Sequence, residues 1–271
     1  HPAQCILSKG VYADQEPFVM EYVRAADAAG FTVHVHAIGD RAVRLAIAAL
    51  EQVTPEDGSN PRRHAIAHLQ VVSPEDQRRI GQRGIYLAWT FAWMLTDPEY
   101  DMTVFPFVED VRSAGGFYDP ESYYLQNVYP VVSTMEHGAV PVAGSDAPVD
   151  ARSPRPFYNM AIGVTRQGED GGILNADQRL DIHQMIAAYT INGAHALKQE
   201  HLTGSIEAGK AADFTVIDRN IVELYEQGRG LEIPIGGEGR PIVLGGLVGA
   251  PPGLGDLSPE QVGEGPQRGV R

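Results

Sequence analysis

The sequence predicts an α/β fold with a parallel sheet. Short runs rich in β-branched or apolar residues alternate with helix-like segments between about residues 14 and 146. That alternation implies parallel strands joined by right-handed crossovers. After Asp146 the pattern changes to a Pro-rich loop, further helices and one short strand.

The elements follow in order. Asp14 is placed to cap a helix that Pro17 tolerates in its first turn and that ends at Gly30. Phe31–Ala37 reads as a buried strand. Gly39-Asp40 breaks it, and Asp40 caps an Ala-rich helix to about Gln52, with Arg41 bracing it. His64–Leu69 is the second strand. Ser73 as N-cap and Pro74 at the first helical position start the next helix, which Gly84 ends. Ile85–Trp89 is the third strand. The connection from Phe91 to Ser122 is longer than a structural loop needs. One helix is expected from Tyr123 to Glu136, then a fourth strand over Val140–Asp146. Helices near Phe157–Arg166 and Asp181–Lys198 precede a short strand at Phe214–Ile217. From Gly228 onward, 13 of the 30 glycines and six prolines fall within the last 44 residues. Apart from Pro241–Val248, which has room for a strand, that composition buries little and predicts an irregular tail.

Composition narrows the function. The 271 residues suffice for one large α/β domain or two smaller ones. A formal charge of −14 argues against nucleic acid or an anionic membrane surface as partner. The single cysteine, Cys5, excludes an intrachain disulfide and a thiolate metal cage. No apolar run is long enough to span a membrane.

Histidines supply the candidate chemistry. Side chains alternate along a strand, so His34 and His36 share one face, as do His64, Ile66 and His68. If these strands are neighbours in a barrel, His36 and His68 point inward near the carboxyl ends, where such folds carry their active sites. Asp146 ends the fourth strand at the same level. Two imidazoles and a carboxylate suit a divalent ion such as zinc. The competing reading makes each histidine a hydrogen-bonded core residue and Asp146 a helix cap. It weighs most for His34 and His64, although His34, one layer below His36, is also a candidate substrate-binding residue. His137, His183, His195 and His201 read as surface or structural, as does Lys210.

Several motifs carry a resemblance. Val33–Ala42, Arg63–His68 and Ala143–Val149 resemble, in order, the fifth-, sixth- and eighth-strand motifs of the amidohydrolase superfamily. The branch is amidohydrolase family 3, the YtcJ-like metal-dependent hydrolases. Ala188–Ala194 and Gly204–Asp213 resemble the segment that leaves the barrel and returns to a small β-sandwich. The resemblance implies a partial TIM barrel, strands five to eight, with a fragment of that sandwich. It implies that His36, His68 and Asp146 are metal ligands, with Asp146 also the catalytic proton acceptor. It places Trp89, Phe91 and Trp93 beside the substrate, although packing on the barrel rim explains them equally. The cofactor it implies is a divalent metal, zinc first, as one or two ions, with iron or manganese as alternatives.

The family's first-strand His-x-His and fourth-strand bridging ligand have no counterpart here, and Lys9 lies on the wrong side of a missing strand to replace the latter. The chain is therefore expected to be the C-terminal portion of a longer protein, as the opening His1 and only three lysines also suit. Residues 1–200 are expected to form the half barrel, 201–248 the return to the sandwich, and 249–271 a disordered tail. The implied activity is hydrolysis of a non-peptide carbon–nitrogen bond, in an amide, formamide or cyclic amide. Weak metal affinity and negligible turnover are expected of the chain alone. The alternatives are a catalytically inactive truncated remnant that self-associates, and a deaminase or lactonase using the same site. The expected partners are a small-molecule substrate and either a second copy or the missing N-terminal half. The cytoplasm is the expected location, any signal peptide lying upstream of His1.

Overall fold

The computed structural model describes residues 16–104, 114–149, 152, 154–168, 170–217, 219–230 and 242–246. Asp14, Cys5 and the tail over 249–271 lie outside them. Helix α1 (Glu16–Ala28) leads to strand β1 (His34–Ala37), α2 (Asp40–Glu51), β2 (Ala65–His68), α3 (Pro74–Gln82) and β3 (Tyr86–Thr90). The connection beyond β3 contains a 3-10 turn at Phe91–Trp93, α4 (Pro98–Val104) and a second 3-10 turn at Ala114–Tyr118. Then come α5 (Tyr123–Asn127), α6 (Val131–Glu136) and β4 (Val140–Gly144). Strands β1 to β4 form one parallel sheet in sequence order.

Local chemistry sets the boundaries. Ser73 caps α3 by accepting the Asp76 N–H, and Pro74 takes the first turn, where its missing N–H costs nothing. Gly30 ends α1 in the left-handed region at φ 89°, and its N–H reaches the Asp27 carbonyl. β1 is shorter than the sequence suggests, and His34 and His36 are exposed rather than buried. The helix expected over 123–136 is two helices. Pro130 disfavours a helical residue before it, and Tyr129 adopts φ 44°. Residues 127–129 instead bond the segment that leaves β2, with Tyr129 N–H on the Gln70 carbonyl at 2.8 Å and Val72 N–H on the Asn127 carbonyl at 3.1 Å.

Beyond β4 lie α7 (Pro156–Thr165), α8 (Ile182–Tyr189) and α9 (Ile191–Ala196). Asp181 and Gln184 form a reciprocal capping box at the start of α8. The expected helix over 181–198 breaks at Thr190, whose hydroxyl donates to the Ile186 carbonyl at 2.7 Å and whose ψ is −97°. Strand β5 (Ala212–Val216) pairs antiparallel with β6 (Ile242–Gly246), so a strand does lie within 241–248; α10 (Ile221–Glu226) falls between them. Among the described residues no helix is long and apolar enough to cross a membrane.

One face of the parallel sheet packs against helices. Ala37, Ile66, Leu87 and Trp89 are buried there, in a core that includes Val43, Ile47 and Leu50 of α2 and Ile80 of α3. Helices α2 and α3 are also tied electrostatically. Asp76, without exposed surface, accepts from Arg44 at 2.8 Å and Arg79 at 2.7 Å, and the Ser73 hydroxyl donates to it.

Across the opposite end of the sheet, Arg63 forks onto Glu200 and also donates to the His195 carbonyl. This pairing holds the Glu200 carboxyl down at about 2, against an ordinary 4.5. A folded-state value below the unfolded one makes the contribution fully present above pH 4.5 and lost as pH falls from there towards 2. Glu200→Gln is therefore expected to flatten the pH dependence of the urea midpoint in that window. An unchanged slope would show that the pair does not couple to folding.

Candidate functional site

The site is built at the carboxyl ends of the parallel strands. Register pairs His34 with Ala65 and Tyr86, and His36 with Ala67 and Ala88, so these residues share the sheet face away from the buried helices. Simple alternation would put His68 on the other face, with Ile66. The backbone at the end of β2 changes that. His68 has φ 76° and Leu69 φ 48°, conformations L-residues seldom adopt, and this kink turns the His68 side chain back towards His36. The two rings meet edge to face with centroids 4.6 Å apart.

Two more contacts hold the His68 ring. Trp93 stacks on it at 4.8 Å with an interplanar angle of 16°. The Thr90 hydroxyl lies 3.2 Å from Nδ1. Burial, with help from the His36 and His34 rings, pushes the His68 pKa down, and the Asp146 carboxylate opposes that shift. A neutral imidazole is the form that ligates metal. Asp146 thus lies within electrostatic reach of His68. It sits two residues past β4 at φ 51°, in a turn closed by the Val149 N–H on its carbonyl at 2.9 Å.

The other sequence candidates fall elsewhere. Trp89 and Phe91 are fully buried in the core. Trp89 follows Leu87 on the helix-facing side of β3, so neither Trp89 nor Phe91 has surface left for a substrate. Of the three aromatic residues only Trp93 reaches the histidines. His34 does not join the ring cluster and lines a cavity of about 970 Å³ with Thr32, Ala65, Tyr86 and Val142. His64 is structural. Its Nδ1 accepts the Val33 N–H at 3.0 Å and Nε2 faces Asp27 of α1 at 3.2 Å. Lys210 pairs with Ser205 and Glu207 in the turn before β5. Asp40 bonds the Arg41 N–H at 2.7 Å and the Tyr123 hydroxyl at 3.1 Å, and Arg41 pairs with Glu16. Sequence reasoning missed Thr90, for a threonine at a strand end carries no signal of its own.

The donor set fits a divalent cation in kind. With Nδ1 of His68 turned to Thr90, Nε2 is left for an ion, and His36 stands beside it. Among the described residues no group of three or more His, Cys, Asp or Glu side chains closes around a common point. His36 and His68 are thus in ring contact and Asp146 acts on the charge of His68, but the three do not close into a cage.

Fold and site together define an α/β protein with ionisable side chains gathered at the carboxyl ends of parallel strands, the end at which such sheets carry their sites. A model of the amidohydrolase family matches residues 3–229, and the chain belongs to that family. It is 29% identical over 199 residues to the protein LONG AFTER FAR-RED 3 of Arabidopsis thaliana, covering 73% of this chain and 32% of that one. It is 35% identical over 96 residues to an N-substituted formamide deformylase of Arthrobacter pascens, covering 35% and 17%. Among solved structures it resembles an uncharacterized metal-dependent hydrolase from Pyrococcus horikoshii OT3, with TM-score 0.57 at 20% identity. That alignment covers 76% of this chain and 38% of the other, and shows a shared fold. The matches span about a third or less of the length of these curated relatives.

Proposed function

We propose that this chain supplies metal ligands and the general base of a hydrolase acting on non-peptide carbon–nitrogen bonds. The partial TIM barrel of the family, strands five to eight, is the frame we assign to its parallel sheet, with β5 and β6 as part of the accompanying sandwich. The observation that carries the reading is the contact between His36 and His68 within electrostatic reach of Asp146. Family membership and the formamide deformylase relative support the bond type.

His36, His68 and Asp146 would hold the ion, zinc by the chemistry of the donors. When bound, a divalent cation lowers the pKa of water at the site and polarises the scissile carbonyl. Asp146 then accepts a proton from the attacking water and returns it to the leaving nitrogen. Trp93 keeps one face of the His68 ring covered and walls the site on that side.

The test is zinc-dependent carboxylate release from an N-substituted formamide. Turnover should be low with so few donors, so the fraction removed by chelation is the quantity to measure. Asp146→Asn is expected to abolish that fraction, a loss of about 100-fold or more where it is large enough to measure. Metal-dependent hydrolysis that survives the substitution would overturn the role of Asp146. Ammonia release in place of carboxylate would point to deamination.

A second reading is favoured by the exposure of His34 and His36 on a sheet face and of Val140 on the edge strand β4. In it the chain binds no substrate and covers that face by self-association. A dimer or larger species by light scattering, with no metal-dependent hydrolysis, would support it. A soluble monomer would exclude it.

A further inference from the structure

We propose that Thr90 is a positioning residue for His68, accepting its Nδ1–H and so leaving Nε2 with the free lone pair. The inference rests on the reading of His68 as a metal ligand and adds a residue to it.

Thr90 ends β3, paired with Gly144 of β4, on the sheet face that carries His36. It and His68 are both buried, so the 3.2 Å contact between Oγ1 and Nδ1 is shielded from water. Thr90 precedes the 3-10 turn at Phe91–Trp93, yet its side chain makes no capping bond to that turn, so the hydroxyl remains available to the ring. β-Branching restricts χ1 and helps fix where that hydroxyl points. The ring is confined on its other sides as well, with Trp93 against one face and His36 at its edge. The bond to Thr90 therefore decides what the ring can do.

A neutral imidazole has one N–H and one lone pair. If the hydroxyl donates to Nδ1, the proton sits on Nε2, which then has no lone pair for an ion. If the hydroxyl accepts from Nδ1–H, Nε2 is the ligand atom. Only the second arrangement is compatible with metal binding, and partners of this kind fix the tautomer of ligating histidines in other sites.

The test compares wild type, Thr90→Val and Thr90→Ser in the metal-free chain, at a pH where the ring is neutral, by ¹⁵N NMR of the His68 imidazole. Wild type and T90S should carry the proton on Nδ1. T90V should shift towards the Nε2–H form that an unconstrained histidine side chain prefers. Zinc affinity should fall about 10- to 100-fold in T90V and stay near wild type in T90S. An Nε2–H ring in wild type, or the same tautomer in T90V, would overturn the proposal. If the tautomers behave as stated but wild type binds no zinc, the positioning of His68 stands and the metal reading fails. The serine variant separates loss of the hydroxyl from a general effect on folding.

Discussion

Replacing His68 with alanine is expected to weaken zinc binding by more than about 100-fold, since loss of a partner to a ligand already costs 10- to 100-fold. The argument is local. The left-handed backbone at His68 and the three neighbours of its ring hold it at one place, so no other side chain can take over its position. His36→Ala should lose affinity comparably. His34→Ala should lose far less, because His34 lines the cavity and acts on His68 only through its charge. Isothermal titration with zinc, supported by metal analysis after gel filtration, reads all three. Equal losses in H34A and H68A would mean that binding depends on overall charge or stability and not on this site.

Trp89→Ala should give the largest effect on stability, about 3–5 kcal/mol. The side chain has no exposed surface and lies among the residues that join the sheet to its helices. Its indole Nε1 has no hydrogen-bond partner among the described residues. Trp89→Phe should therefore cost much less than W89A, because the phenyl ring fills most of the space and leaves no polar group unpaired. Urea unfolding of the three proteins measures the difference. If W89A were as stable as wild type, Trp89 would be a surface or pocket residue, as the rim reading of the aromatic residues holds.

Much of the fold was legible because it depends on local chemistry. Ser73-Pro74 announces the start of α3, Gly30 and Gly84 fall where helices end, and the strand runs lie close to the observed ones. The helix breaks were harder. Pro130 was a visible signal of the break between α5 and α6, whereas Thr190 breaks α8 from α9 through side-chain competition that many mid-helix threonines avoid. The candidate site was legible in residue type but not in geometry. His36, His68 and Asp146 stand out by residue type and position, yet alternation alone sends His68 to the wrong face. The positive φ that returns it is a tertiary feature that a histidine does not advertise. Alternation did contain the answer for Trp89, which has the same parity as Leu87 and so shares its buried face.

The central claim is that His36, His68 and Asp146 share one divalent ion. Anomalous diffraction at the zinc edge, from crystals of the zinc-loaded chain, tests it directly. The expected result is one anomalous peak about 2.0–2.2 Å from a nitrogen of each histidine and an oxygen of Asp146, with Nε2 as the His68 atom. A zinc-loaded crystal whose only peaks lie away from these three side chains would contradict it.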